Sequence, residues 1–181
     1  GDVYKRQLQA AASGNPLLLR RNEIAGRIRT LRIGRATVLQ NAVTARENAD
    51  THSQRAKRLR RTRDLLDHLL PHIDTLARHH WDLPAIGGAT TSGVAGDQVL
   101  VASTSRKLGA ARIELAVGRR RYTAHHVATI DVPPKVLRRD GIALSRWIAK
   151  TIREWIRQLP DTVARLDADI VAAERLSLIH I

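Results

Sequence analysis

Cysteine, methionine and phenylalanine are all absent from this chain of 181 residues, and aromatic residues make up only 3% of it. Without cysteine there is neither a disulfide framework nor a thiolate metal site, a weak pointer to a reducing compartment. With three tryptophans and two tyrosines, a thick globular core is hard to build at this length. A thin architecture that buries stripes of Ala, Leu, Ile and Val fits better. No apolar run approaches the roughly 18 residues of a membrane span, so a cytoplasmic protein without a membrane partner is expected. Negative charge is also scarce: 17 Asp and Glu stand against 31 Lys and Arg, for a net charge of +14. Such an imbalance predicts attraction to a polyanion, because neutralised phosphates release condensed counterions. The competing reading is an Arg-rich composition with solvated helix faces.

The two ends carry an unusual relation. Residues 2–7, Asp-Val-Tyr-Lys-Arg-Gln, can be encoded GAT GTG TAT AAG AGA CAG, and the reverse complement of that stretch encodes Leu-Ser-Leu-Ile-His-Ile, residues 176–181. The pair resembles the inverted end of a transposase adapter used to fragment DNA for sequencing, so residues 1–7 and 176–181 are read as adapter-derived. The expectation is a natural segment from 8 to 175, cut from within a longer reading frame. Lys5 and Arg6 against Asp2 contribute +1, which leaves +13 for that segment.

Asn15-Pro16 reads as a helix N-cap followed by proline at the first helical position. From there a ladder of seven-residue steps runs through Leu17, Ile24, Leu31, Val38, Ala45, His52, Leu59, Leu66 and Ile73. Companions four residues on include Ile28, Ala42, Ala49, Ala56 and Leu70. So sustained a pattern predicts one long coiled-coil helical arm over residues 8–80, its roughly 60 helical residues spanning about 90 Å. Pro71 should kink it or open a short final segment. Residues 81–97, with Pro84 and four glycines, read as an irregular loop. The stretches 98–103, 111–117 and 121–132 are rich in Val, Ile, Ala and Thr, which predicts three strands in a small antiparallel sheet within a β subdomain at 98–134. Trp147 or Trp155 is the expected cover for that sheet. Residues 135–175 keep apolar residues three and four apart, from Leu144 to Ala173, and read as a returning helix kinked near Pro160. The fold class is therefore mainly α with a small β unit (α+β): a long antiparallel helical hairpin or coiled coil carrying a three-stranded sheet.

Three basic runs are the candidate contact residues. Arg55, Lys57, Arg58, Arg60, Arg61 and Arg63 surround the seam residues Ala56 and Leu59, and on a helix they are placed to follow a phosphate backbone without reading bases. Their stems packing along a solvated arm is the alternative. Arg119, Arg120 and Arg121 precede Tyr122 at a predicted hairpin, where one aromatic falls short of a stacking platform. Lys135, Arg138 and Arg139 form the third run. His68 and His72 have the spacing of two zinc ligands, yet no glutamate stands between them and no third ligand is evident, so no metal is assigned. Gly88 to Gly93 has the glycine spacing of a phosphate loop but lacks its lysine. Ser103, Thr104 and Ser105 lack a nucleophile elbow. Glu23, Asp64, Asp67, Asp74 and Asp161 are explained by capping and ion pairing. No catalytic residue is proposed.

The run Ser13-Gly14-Asn15-Pro16-Leu17-Leu18-Leu19, followed by Arg20-Arg21-Asn22-Glu23-Ile24, resembles the C-terminal region of very large mobile-element proteins. These carry Swi/Snf-like superfamily-2 helicase domains, sometimes joined to an adenine-specific DNA methylase. In that family a long arm, a small β unit and a returning helix similar to Leu159-Pro160-Asp161-Thr162-Val163-Ala164 follow the helicase motifs. The resemblance implies a non-catalytic accessory region with the remainder of a parent helicase as one partner and DNA as another. ATP and magnesium would belong to that parent, with no cofactor in this segment. The alternative is a structural module in which the coiled coil self-associates or recruits a protein.

Overall fold

The computed structural model describes residues 2–6 and 14–179. The chain forms two compact units, one of residues 1–51 with 177–181 and one of residues 52–176. Helix α1 (Pro16–Asp67) has 52 residues and contributes to both. It starts where the sequence places a cap: Asn15 Oδ1 accepts from the backbone N–H groups of Leu17 at 3.2 Å and Leu18 at 3.4 Å, satisfying donors that have no partner inside the helix. Ser13, the first residue of the resemblance motif, lies outside the described residues.

Within residues 16–51 the apolar ladder is largely uncovered. Leu17 is 80% exposed, Leu31 73% and Val38 66%, while Ala49 is buried.

The unit of residues 52–176 holds the core. After α1, Pro71 lies in the first turn of a 3₁₀ segment, Leu70–His72, which leads into a short helix, α2 (Ile73–Arg78). Four strands then form one antiparallel meander: β1 (Thr90–Ala95), β2 (Gln98–Lys107), β3 (Ala110–Gly118) and β4 (His125–Val132), in that spatial order. The expected three strands are therefore four. β1 lies inside the stretch expected to be an irregular loop, because Gly93 supports the strand rather than breaking it. A Cβ there would sit 3.0 Å from the Trp81 ring, and the bare backbone lets β1 pass over the indole. The last strand is shorter than expected, since Arg121–Thr123 forms a 3₁₀ turn ahead of it.

Strand alternation puts Ala111, Ile113, Leu115 and Val117 of β3 on the inner face beside Leu100 and Ala102 of β2, all buried. A short helix, α3 (Pro134–Leu137), leads to α4 (Gly141–Arg157), which Asp140 caps by accepting from Ala143 N–H at 2.8 Å. Leu144, Ile148, Ile152 and Ile156 recur every fourth residue, and all four are buried in one cluster with the inner sheet face. The sheet is thus covered by this aliphatic stripe. Trp147 and Trp155, the expected cover, pack only partly buried against the core. The fully buried aromatic is Trp81, whose indole N–H donates to the Leu76 carbonyl at 2.8 Å. Helix α5 (Leu159–Ile179) follows Gln158 directly, with Leu159, Val163, Ile170 and Ala173 buried. Among the described residues no helix is long and apolar enough to cross a membrane.

Candidate nucleic-acid interface

The first basic run lies in the last four turns of α1, where the seam is occupied: Ala56 and Leu66 are buried. α5 passes this stretch in the opposite sense, because Arg60 pairs with Glu174 and Arg63 with Asp167. Arg63 Nε lies 2.9 Å from Asp167, and its Nη1 lies 3.1 Å from Asp64. The Asp64 hydrogen bond and the charge of Asp167, with Asp67 adding less, hold the Arg63 guanidinium above its usual pKa against the opposing effect of burial. Arg60 and Arg63 are therefore engaged with carboxylates; the other cations of the run are Arg55, Lys57, Arg58 and Arg61. Those four are exposed.

The second run is held close to the first by one contact. Gly118 ends β3, and a Cβ on it would lie 2.8 Å from the Ala124 Cα, so only glycine lets the segment after it fold back on itself. That fold brings His125, the first residue of β4, beside α1: Arg61 Nη2 lies 2.7 Å from His125 Nδ1. The same Nη2 lies 3.3 Å from Nε2, and since a guanidinium has donors only, the ring is the accepting side of the contact. Two adjoining shallow clefts share Leu65 and His68. One, of about 380 Å³, is lined by Lys57, Arg60 and Arg61, and the other, of about 390 Å³, by Arg119, Thr123 and His125. Residues some 60 positions apart in sequence thereby line adjoining clefts, with Asp64 also in the wall of the first. Arg120 and Arg121 are exposed beside them, although Arg121 also donates to the Thr90 carbonyl at 3.1 Å. Tyr122 is 96% exposed.

The third run is not brought to this surface. Lys135, Arg138 and Arg139 lie in and just after α3, beyond the far end of the strand that His125 begins. At about 3.3 Å per residue, an eight-residue strand separates its ends by roughly 25 Å. His125 is the residue that sequence reasoning passed over. It stands beside His126 in the sequence, and nothing local signals a partner 64 positions away.

The outer sheet face carries a second polar cluster. Glu114 Oε2 receives the Thr129 hydroxyl at 2.7 Å and lies 2.8 Å from His126 Nε2, which is itself 2.7 Å from Thr129 Oγ1. A base that activates a hydroxyl while oriented by a carboxylate needs two separate ring nitrogens. Here both contacts fall on Nε2, so the three residues form a hydrogen-bonded knot and not a proton relay. Desolvation raises the Glu114 carboxyl pKa, but hydrogen bonds from Thr129 and His126, the His126 charge and Ser105 outweigh it and hold the group below its usual value. Among the described residues no three His, Asp or Glu side chains gather to hold a metal ion. His68 and His72 are not joined by a third ligand, and His72 packs instead beneath Gly96. No family model, no curated protein and no solved structure matches the chain.

Proposed function

We propose that this chain is a non-catalytic accessory region of a cytoplasmic DNA helicase or translocase, gripping the nucleic-acid backbone without reading sequence. The observation that carries the reading is the Arg61–His125 contact, beside which Lys57 and Arg61 of the first run and Arg119 of the second line two adjoining clefts. A single run on a solvated helix needs no ligand to explain it. Cations from two remote runs lining adjoining clefts suit the repeating charge of a phosphate backbone. The helicase setting rests on the resemblance at residues 13–24 and on the order of long helix, small sheet and returning helix. In that setting the pairing of α1 with α5 is a short antiparallel coiled coil that carries the sheet.

The test is binding of a mixed-sequence duplex to the whole chain, followed by fluorescence anisotropy over a range of salt concentrations. Affinity should fall steeply with salt and be indifferent to sequence. Arg61→Ala with Arg119→Ala should lower the slope of log K against log salt by about 2, since each lost phosphate contact removes about 0.9. Arg138→Ala with Arg139→Ala should leave it unchanged. Absence of binding at low salt overturns the proposal. A second reading, protein assembly through a coiled coil, is favoured by a different observation: the uncovered apolar ladder at residues 17–39.

A further inference from the structure

We infer that the exposed apolar face of α1 over residues 17–39 is the docking surface for an acidic amphipathic helix supplied by another protein. At 100° per residue, Leu17, Ile24, Ile28, Leu31, Val38 and Leu39 fall within about 100° of helix circumference. All six are large apolar residues at least 45% exposed. Arg20 and Arg27 border the stripe on one side, Arg21 and Arg32 on the other, and Arg35 stands within it. Scattered exposed leucines need no explanation, but six large apolar residues along one face, interrupted by Arg35, mark an interaction surface.

Charge decides what covers it. Between Arg20 and Arg35 there are six arginines and one glutamate. A second copy laid along this face, parallel or antiparallel, sets that cationic excess against itself. A nucleic acid would neutralise the arginines yet leave the leucines and isoleucines in water. An apolar helix with acidic flanks satisfies both. The same helix, a few turns later, already has such a partner: near the buried Ala56 and Leu66, Asp167 and Glu174 of α5 answer Arg63 and Arg60, and α5 itself buries Val163, Ile170 and Ala173. The uncovered stretch repeats the seven-residue spacing and the flanking arginines of the covered one, so the complement it needs is chemically the same.

The probe is a synthetic helical peptide of at least four heptads with leucine and isoleucine along its seam and glutamate on both flanks. It is titrated against the whole chain by fluorescence anisotropy. Two controls accompany it, one carrying lysine for every glutamate and one a polyglutamate without a seam. The glutamate-flanked peptide should bind at least about tenfold more tightly than either control, a difference of about 1.4 kcal/mol. Ile24→Glu with Leu31→Glu, both at exposed positions that leave folding intact, should weaken it by about tenfold or more. Circular dichroism of both variants checks that the helix persists. Equal binding of the lysine-flanked peptide, or of polyglutamate, overturns the proposal. So does sedimentation showing a dimer of the chain that the glutamate peptide fails to dissociate.

Discussion

Residues 17–39 and 56–66 of α1 share one helix, one seven-residue spacing and one arginine-rich flank, yet they meet opposite surroundings. Leu31 is 73% exposed and Leu66 is 1% exposed. A heptad ladder fixes where an apolar stripe will lie on a helix, but burial belongs to the pair of surfaces and not to the stripe. In the covered stretch, α5 supplies carboxylates for Arg60 and Arg63 and itself buries Val163, Ile170 and Ala173. In the uncovered stretch the same arginines-and-leucines pattern has no such counterpart among the described residues. Since burying one leucine is worth about 1.5–3 kcal/mol, the two stretches should differ sharply in what each side chain contributes to stability.

The most direct way to break that comparison is the same substitution at both places. Leu66→Ala should lower the stability of the chain by about 2–5 kcal/mol, read from urea denaturation, because it removes buried methyl groups and leaves a cavity. Leu31→Ala should change it by less than about 0.5 kcal/mol, since alanine is also a good helix former. Comparable losses at the two positions would mean that residues 17–39 are covered in solution by something of the chain's own.

A glycine pair sharpens the contrast at smaller amplitude. Gly118→Ala forces a methyl group into the Ala124 backbone and should cost about 1–3 kcal/mol. It should also weaken duplex binding by displacing the 119–124 segment that carries Arg119. Gly26 has open space around its Cα in mid-helix, so Gly26→Ala should raise helix stability by about 0.5–1 kcal/mol, seen as a higher melting temperature by circular dichroism. Opposite signs from one chemical change would separate a glycine required by close approach from one merely tolerated.

These contrasts also mark how far the residues alone lead. The α1 start, the α4 stripe and the α+β class are legible because capping and periodicity are local: Asn15-Pro16, then Leu144, Ile148, Ile152 and Ile156 at fixed spacing. β1 was hidden because Gly93 counts locally as a breaker, whereas its reason for being there is the Trp81 ring. Trp81 itself stands in a segment that reads as loop, and Trp147 and Trp155, the expected cover, pack against the core only partly buried. At the candidate interface, the basic runs were visible as charge density. What the sequence left open was which cations are already engaged: Arg60 and Arg63 meet carboxylates on α5 more than 100 positions away, and Arg61 meets His125. Pairings across that separation leave no periodic trace.

The smallest expected effect concerns the knot on the outer sheet face, and its sign follows from Glu114 being held below its usual pKa. In the unfolded chain a glutamate protonates near about pH 4.3, whereas the folded group keeps its charge to lower pH because Thr129 and His126 donate to it. The stabilisation is therefore fully present above about pH 4.3. It drains away as pH falls from there through the lower folded value, because the unfolded chain takes up the proton first. Glu114→Gln keeps the side-chain shape and an acceptor oxygen for Thr129 but removes the titrating group. Its stability, measured by urea denaturation at a series of pH values, should be lower than wild type at neutral pH and should converge on it in acid, giving a shallower acid limb. An acid limb of unchanged steepness in the variant would show that the hydrogen bonds to Glu114 do not favour its charged form. In that case the outer face, despite its well-ordered geometry, would add as little to stability as the exposed stripe on α1.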